Sequence, residues 1–98
     1  MLTGKQRSYL KSLANNIKPI TQIGKGGITD SFVQQLDDAL EAREIVKVHV
    51  LENSLLDAKE AANEVAKLTG AEFVQAIGNK FVIYRKSKEN STIEIPRL

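Results

Sequence analysis

The segment Glu44 to Leu51, EIVKVHVL, constrains the fold more than any other part of the chain. Val46, Val48 and Val50 alternate with Lys47 and His49, and a period of two puts the valines on one face of a strand and the polar side chains on the other. Segments of a different period bracket it. Before it, Phe32, Val33, Leu36, Ala39 and Leu40 recur at three- and four-residue spacing behind a cap at Thr29 or Asp30. After it, Ala58, Ala61, Ala62, Val65 and Leu68 do the same, with Asn53 or Ser54 as cap and Gly70 at the end. A half-buried strand between two amphipathic helices needs crossover connections. The apolar runs PITQI (19–23) and AEFVQAI (71–77) supply the outer strands. Two strand–helix–strand units therefore predict parallel neighbours joined by right-handed crossovers.

The ends of the chain complete the pattern. Leu2, Tyr9, Leu10, Leu13, Ala14 and Ile17 predict a helix over about residues 3–15, ended by Asn15-Asn16 and by Pro19. Gly78-Asn79 suits a two-residue turn joining AEFVQAI to KFVIYR in an antiparallel hairpin. The expected order is α-β-α-β-α-β-β, an α/β chain of α+β two-layer type. Helices cover the Val46, Val48, Val50 face, and the Lys47, His49 face stays partly open. Residues 1–86 form the domain, and the polar segment 87–98 is expected to be a mobile tail.

Ninety-eight residues suffice for one domain. The chain has no cysteine and a single histidine, His49, which excludes disulfides and thiolate chemistry and leaves no cysteine or histidine ligand set, so no metal site is expected. No apolar run approaches a membrane span, and the charged N-terminus lacks the apolar stretch of a signal peptide. A soluble cytoplasmic protein without a cofactor is the expectation; no oligomeric state follows.

The net charge of +2 hides a segregation. Residues 1–29 carry Lys5, Arg7, Lys11, Lys18 and Lys25 and no acid; residues 30–79 carry ten acids against four bases; residues 80–98 carry five bases against two acids. One face suited to a polyanion and another suited to water would produce this distribution.

Gly24, Lys25, Gly26 and Gly27 lie between a strand and a helix start. They match neither GxxxxGK[ST] nor GxGxxG, because Gly26 follows Lys25 and Thr29 stands where a third glycine is needed. What remains is G-x-x-G, a tight turn that also lets a phosphate backbone come close to helix N–H groups, with Lys25 beside them. Ser8, Ser12, Ser31 and Ser54 have no evident base, and Asp37, Asp38 and Glu41 read as a solvated helix face, so the chain is not expected to be an enzyme. The acidic faces at Asp37, Asp38, Glu41, Glu60 and Glu64 leave a protein–protein adaptor as an alternative. The G-x-x-G spacing leaves another, a KH-like regulator of single-stranded RNA. Arg85 follows Tyr84, placing an arginine that could reach outward to phosphate.

Taken together, LTGKQRSYLKSLANNIKPITQIGKGGIT, LDDALEAREIVKVHVL and VQAIGNKFVIYR resemble the CRM domain in its stand-alone bacterial form, the YhbY type, over about residues 1–86. The resemblance implies a mixed four-stranded sheet in the order 1-2-4-3, similar to the C-terminal domain of a bacterial translation initiation factor. It implies RNA binding, with large-subunit ribosomal RNA or a pre-ribosomal particle as partner and a role in ribosome assembly. The implied RNA-binding residues are Gly24, Lys25, Gly26 and Gly27 in the loop, Lys5, Arg7 and Lys11 in the first helix, and Arg85. Lys18, on the acid-free flank, joins them. His49 departs from the more basic residue usual in that strand.

Overall fold

A computed structural model of the protein describes residues 2–89 and residue 93. Helix α1 (Gly4–Ala14) opens at a reciprocal cap, in which Thr3 Oγ1 accepts from the Gln6 N–H at 3.1 Å and Gln6 Oε1 accepts from the Thr3 N–H at 3.0 Å. Strand β1 (Thr21–Ile23) leads through the glycine turn to α2 (Asp30–Arg43), capped by Thr29, whose hydroxyl accepts from the Phe32 N–H. Then come β2 (Ile45–Val50), a 3₁₀ turn (Glu52–Ser54), α3 (Ala58–Thr69), β3 (Glu72–Ile77) and β4 (Lys80–Tyr84). Gly78, at φ +60, occupies the first corner of the β3–β4 turn, while Asn79 has no positive φ, as a type II′ turn requires.

The sheet order is β1-β2-β4-β3, with β1 parallel to β2 and β4 antiparallel to both β2 and β3. The second strand–helix–strand unit thus runs parallel as expected, but β4 lies between its two strands. Phe81, Val82, Ile83 and Tyr84 explain this: all four are buried, so both faces of β4 need cover, and only an interior position supplies it.

Two apolar clusters sandwich the sheet. Phe32, Leu36 and Leu40 of α2 and Ala61, Ala62 and Val65 of α3 pack on Val46, Val48, Val50, Phe81 and Ile83. On the opposite face, Leu10 and Ala14 of α1 pack on Ile45, Val74, Val82 and Tyr84. The helices therefore do not all share one side, and α1 forms a third layer over half of the second face. Two further positions differ from expectation. Leu68 is 55% exposed, and Thr69 is buried in its place, its hydroxyl donating to the Val65 carbonyl at 2.8 Å. Helix α3 starts at an Asp57 cap, not at Asn53 or Ser54. Ser54 is engaged in the 3₁₀ turn, where its Oγ donates to the Leu51 carbonyl and accepts from the Leu56 N–H.

Of the tail expected over 87–98, residues 90–92 and 94–98 lie outside the described residues. Ser87, Lys88, Glu89 and Ile93 are held to the end of α2. The Glu44 carboxylate, fully buried, accepts from the Ser87 and Ile93 N–H groups, both at 2.9 Å, and Glu41 accepts from Ser87 Oγ and from the Lys88 and Glu89 N–H groups.

Candidate nucleic-acid interface

Parallel pairing of Ile23 with Val50 sets the glycine turn at the end of the sheet that also carries the 78–79 turn, where the Val50 N–H donates to the Asn79 carbonyl. Gly24 to Gly27 form a β-turn closed by the Gly27 N–H donating to the Gly24 carbonyl at 2.9 Å. Gly27 has φ +70, where only glycine is free of strain; Lys25 and Gly26 at the corners do not. The Gly27 N–H is thus committed to the turn. Lys25 and Gly26 are exposed, so the turn offers a charge and an uncovered stretch of backbone. Asp30 in the first turn of α2 counters the positive end of that helix, and the helix start is a weaker anion site than the glycines alone suggest.

The half of the sheet that α1 leaves uncovered has more to offer. Register places Gln22, His49, Lys80 and Ile77 in one row across the four strands, and Lys47, Val82 and Gln75 in the next. Between these rows and the end of α1 lies a crevice of about 210 Å³ lined by Asn15, Lys47, Gln75, Ile77, Lys80 and Val82. It adjoins a groove of about 370 Å³ along β3, sharing Gln75 and Ile77 with it, where Arg7 and Lys11 of α1 approach and Lys59 of α3 closes the far side. Among the described residues no carboxylate lines either cavity. Arg7 Nε is buried there without a hydrogen-bond partner among the described residues. Of the residues singled out in the sequence, Arg7 and Lys11 are brought together here. Lys5 is exposed on α1, Lys18 is exposed in the connection to β1, and Lys25 sits at the turn. Lys47, Lys59 and Lys80 complete the basic surface, and the only sequence signal for them was alternation in EIVKVHVL, which assigned Lys47 to the open face.

Arg85 is placed elsewhere. The Arg85 N–H donates to the Glu44 carbonyl at the opposite end of the sheet, about 17 Å from the glycine turn by the rise along β2. Its guanidinium donates to Asp37 Oδ1, to the Thr69 carbonyl at 2.7 Å and to the Asp37 carbonyl at 3.0 Å. Its side chain is only 19% exposed, so Arg85 braces α2 against the end of α3 and does not reach outward. Tyr84 beside it is buried, and burial first, then the Glu44 charge, pushes its hydroxyl pKa up. The acidic face is also partly committed: Asp37 pairs with Arg85, Asp38 accepts from Gln34 Nε2, and Glu41 gathers Ser87, Lys88 and Glu89. Among the described residues no group of three or more His, Cys, Asp or Glu side chains could hold a metal ion, and no helix is long and apolar enough to cross a membrane.

Comparison with known proteins bears on the family and the fold. The model of the CRS1 / YhbY (CRM) domain matches residues 2–85. YqeI of Bacillus subtilis strain 168, named a probable RNA-binding protein, is 48% identical over 96 residues, spanning 98% of this chain and 100% of its own length. An RNA-binding protein of Haemophilus influenzae is 33% identical over 96 residues, spanning 98% of this chain and 96% of its own. The solution structure of a hypothetical Staphylococcus aureus protein, for which RNA binding is suggested, superposes with a TM-score of 0.82 at 58% identity, covering 98% of this chain and 100% of that one.

Proposed function

The chain belongs to the CRS1 / YhbY (CRM) domain family, and from that premise we propose that it binds RNA and assists assembly of the large ribosomal subunit. The observation that carries RNA binding is the pair of adjoining cavities edged by Arg7, Lys11, Lys47, Lys59 and Lys80, with no carboxylate in either lining among the described residues. In a chain of nearly balanced charge, such a surface suits a phosphate backbone. The ribosomal target rests on the resemblance to stand-alone bacterial CRM proteins.

The mechanism is positioning. Cations on α1 and on the open half-face neutralise successive phosphates, while Lys25 adds a contact at the glycine turn, where Gly26 presents no side chain to keep an RNA backbone away. Structured RNA is then held by shape and backbone, with base contacts confined to unpaired positions. Crosslinking the protein to RNA in cells and mapping the reads tests the target: clusters in large-subunit precursor RNA are expected, and reads scattered over messenger RNAs would contradict it.

A further inference from the structure

We infer that the crevice between the end of α1 and the open half-face is a subsite for one unpaired nucleobase of the bound RNA. The inference rests on the RNA-binding reading above and assigns a role to residues outside the glycine turn.

Strand β3 carries a bulge. Phe73 pairs with Ile83 and Gln75 with Val82, leaving Val74 without a partner in the register. In a regular strand Val74 and Gln75 would point to opposite faces. Here Val74 joins the α1 cluster and Gln75 sits opposite Val82 of that same cluster, so both lie on the α1 side. A bulge re-aims side chains as well as protecting an edge, and this one delivers an amide into the crevice. Asn15, just beyond α1, brings a second amide from the other wall. Amides both donate and accept, which is what reading a base edge requires.

The rest of the lining fits a base as well. Ile77, 68% exposed, supplies aliphatic surface against a ring face, and the almost fully buried Val82 borders the crevice beside it. Lys47 and Lys80 flank the opening with charge for the adjoining phosphate. The volume of about 210 Å³ is below the roughly 300–1,000 Å³ of pockets for drug-sized ligands, a size for one ring and not for a whole nucleotide. From Gln75 and Ile77 the strand's backbone can continue along the groove of Arg7, Lys11 and Lys59. The same cations would also suit an acidic peptide, but two amides set against aliphatic surface favour a base.

The test is an NMR titration of the full chain with short single-stranded homopolymers of each of the four ribonucleotides, and with poly-glutamate as a polyanion without bases. The side-chain amide signals of Asn15 and Gln75 are expected to shift with RNA and not with poly-glutamate, with a preference among the homopolymers. Gln75→Ala should weaken the preferred homopolymer by about fivefold, one hydrogen bond's worth. Lys80→Gln, at an exposed position, should weaken all four alike and lower the salt slope by about 0.7. Shifts confined to the glycine turn and the outer face of α1, or equal shifts with poly-glutamate, would overturn the subsite while leaving RNA binding in place. No response to any homopolymer or to structured ribosomal RNA would overturn the RNA-binding reading itself.

Discussion

Gly26 and Gly27 are neighbours with different obligations. Gly27 holds φ +70, a backbone that costs an L side chain roughly 1–2 kcal/mol. Gly26 has no positive φ, and an added Cβ would meet nothing nearer than Thr29 Cγ2 at 3.9 Å. Gly27→Ala should therefore destabilise the fold by about 1 kcal/mol in urea denaturation, whereas Gly26→Asp should unfold at the wild-type midpoint and bind RNA more weakly. A folded Gly26→Asp protein with full RNA affinity would remove the turn from the interface. The motif was legible in the sequence, but this division was not, because G-x-x-G does not state which glycine carries the positive φ or which N–H closes the turn. Glu44 is a similar case. Nothing in its neighbours announces a fully buried carboxylate at φ 67 that accepts from Ser87 and Ile93, more than forty positions away.

At the scale of elements, apolar patterning located all three helices and all four strands, because the spacing or the unbroken run of apolar residues in each records the stripe or faces that it buries. Local competition blurred the boundaries. Asn53, Ser54 and Asp57 can all cap, and Asp57 prevails because Ser54 is committed to the 3₁₀ turn; Glu60 three residues after Asp57 was the available signal. The interior place of β4 was written in the unbroken run Phe81 to Tyr84, since a strand buried on both faces does not alternate. Contacts between elements were not legible, and Arg85 shows why. Its partners Asp37 and Thr69 lie 48 and 16 residues away, and no local pattern encodes such a pairing. Because those bonds are charge-assisted and partly shielded, Arg85→Ala should destabilise the protein by about 1.5–3 kcal/mol and leave RNA affinity unchanged once the variant is folded. Equilibrium unfolding read beside RNA binding tests both halves, and a stable variant with weakened RNA binding would return Arg85 to the interface.

For the whole molecule, charge is sorted by end and by face. Basic side chains surround the uncovered half of the α1 side, while the acids near the end of α2 are largely engaged with Arg85 and with residues 87–89. That engagement has a pH dependence of definite sign. The Ser87 hydroxyl, then the Lys88 and Glu89 N–H groups, hold the Glu41 pKa below its ordinary 4.5, against a small opposing effect of burial, and the Arg85 charge adds to them. A carboxyl with a lower pKa in the folded state stabilises that state above its unfolded pKa and loses the contribution as pH falls through the folded value. Amide exchange at Lys88 and Glu89, whose N–H groups donate to Glu41, should thus be protected at neutral pH and lose protection below about pH 4.5; protection that persists well below that range would show that Glu41 is not the anchor.

The measurement closest to the central claim is the salt dependence of RNA affinity for the wild-type chain and for the triple variant Arg7→Gln, Lys11→Gln, Lys47→Gln. If about five phosphates are neutralised, log affinity should fall with log salt at a slope of roughly −3.5 on single-stranded RNA, and removing three of the cations should bring it to roughly −1.4. A folded triple variant that keeps the wild-type slope would contradict the assignment of the α1 side as the RNA-binding face.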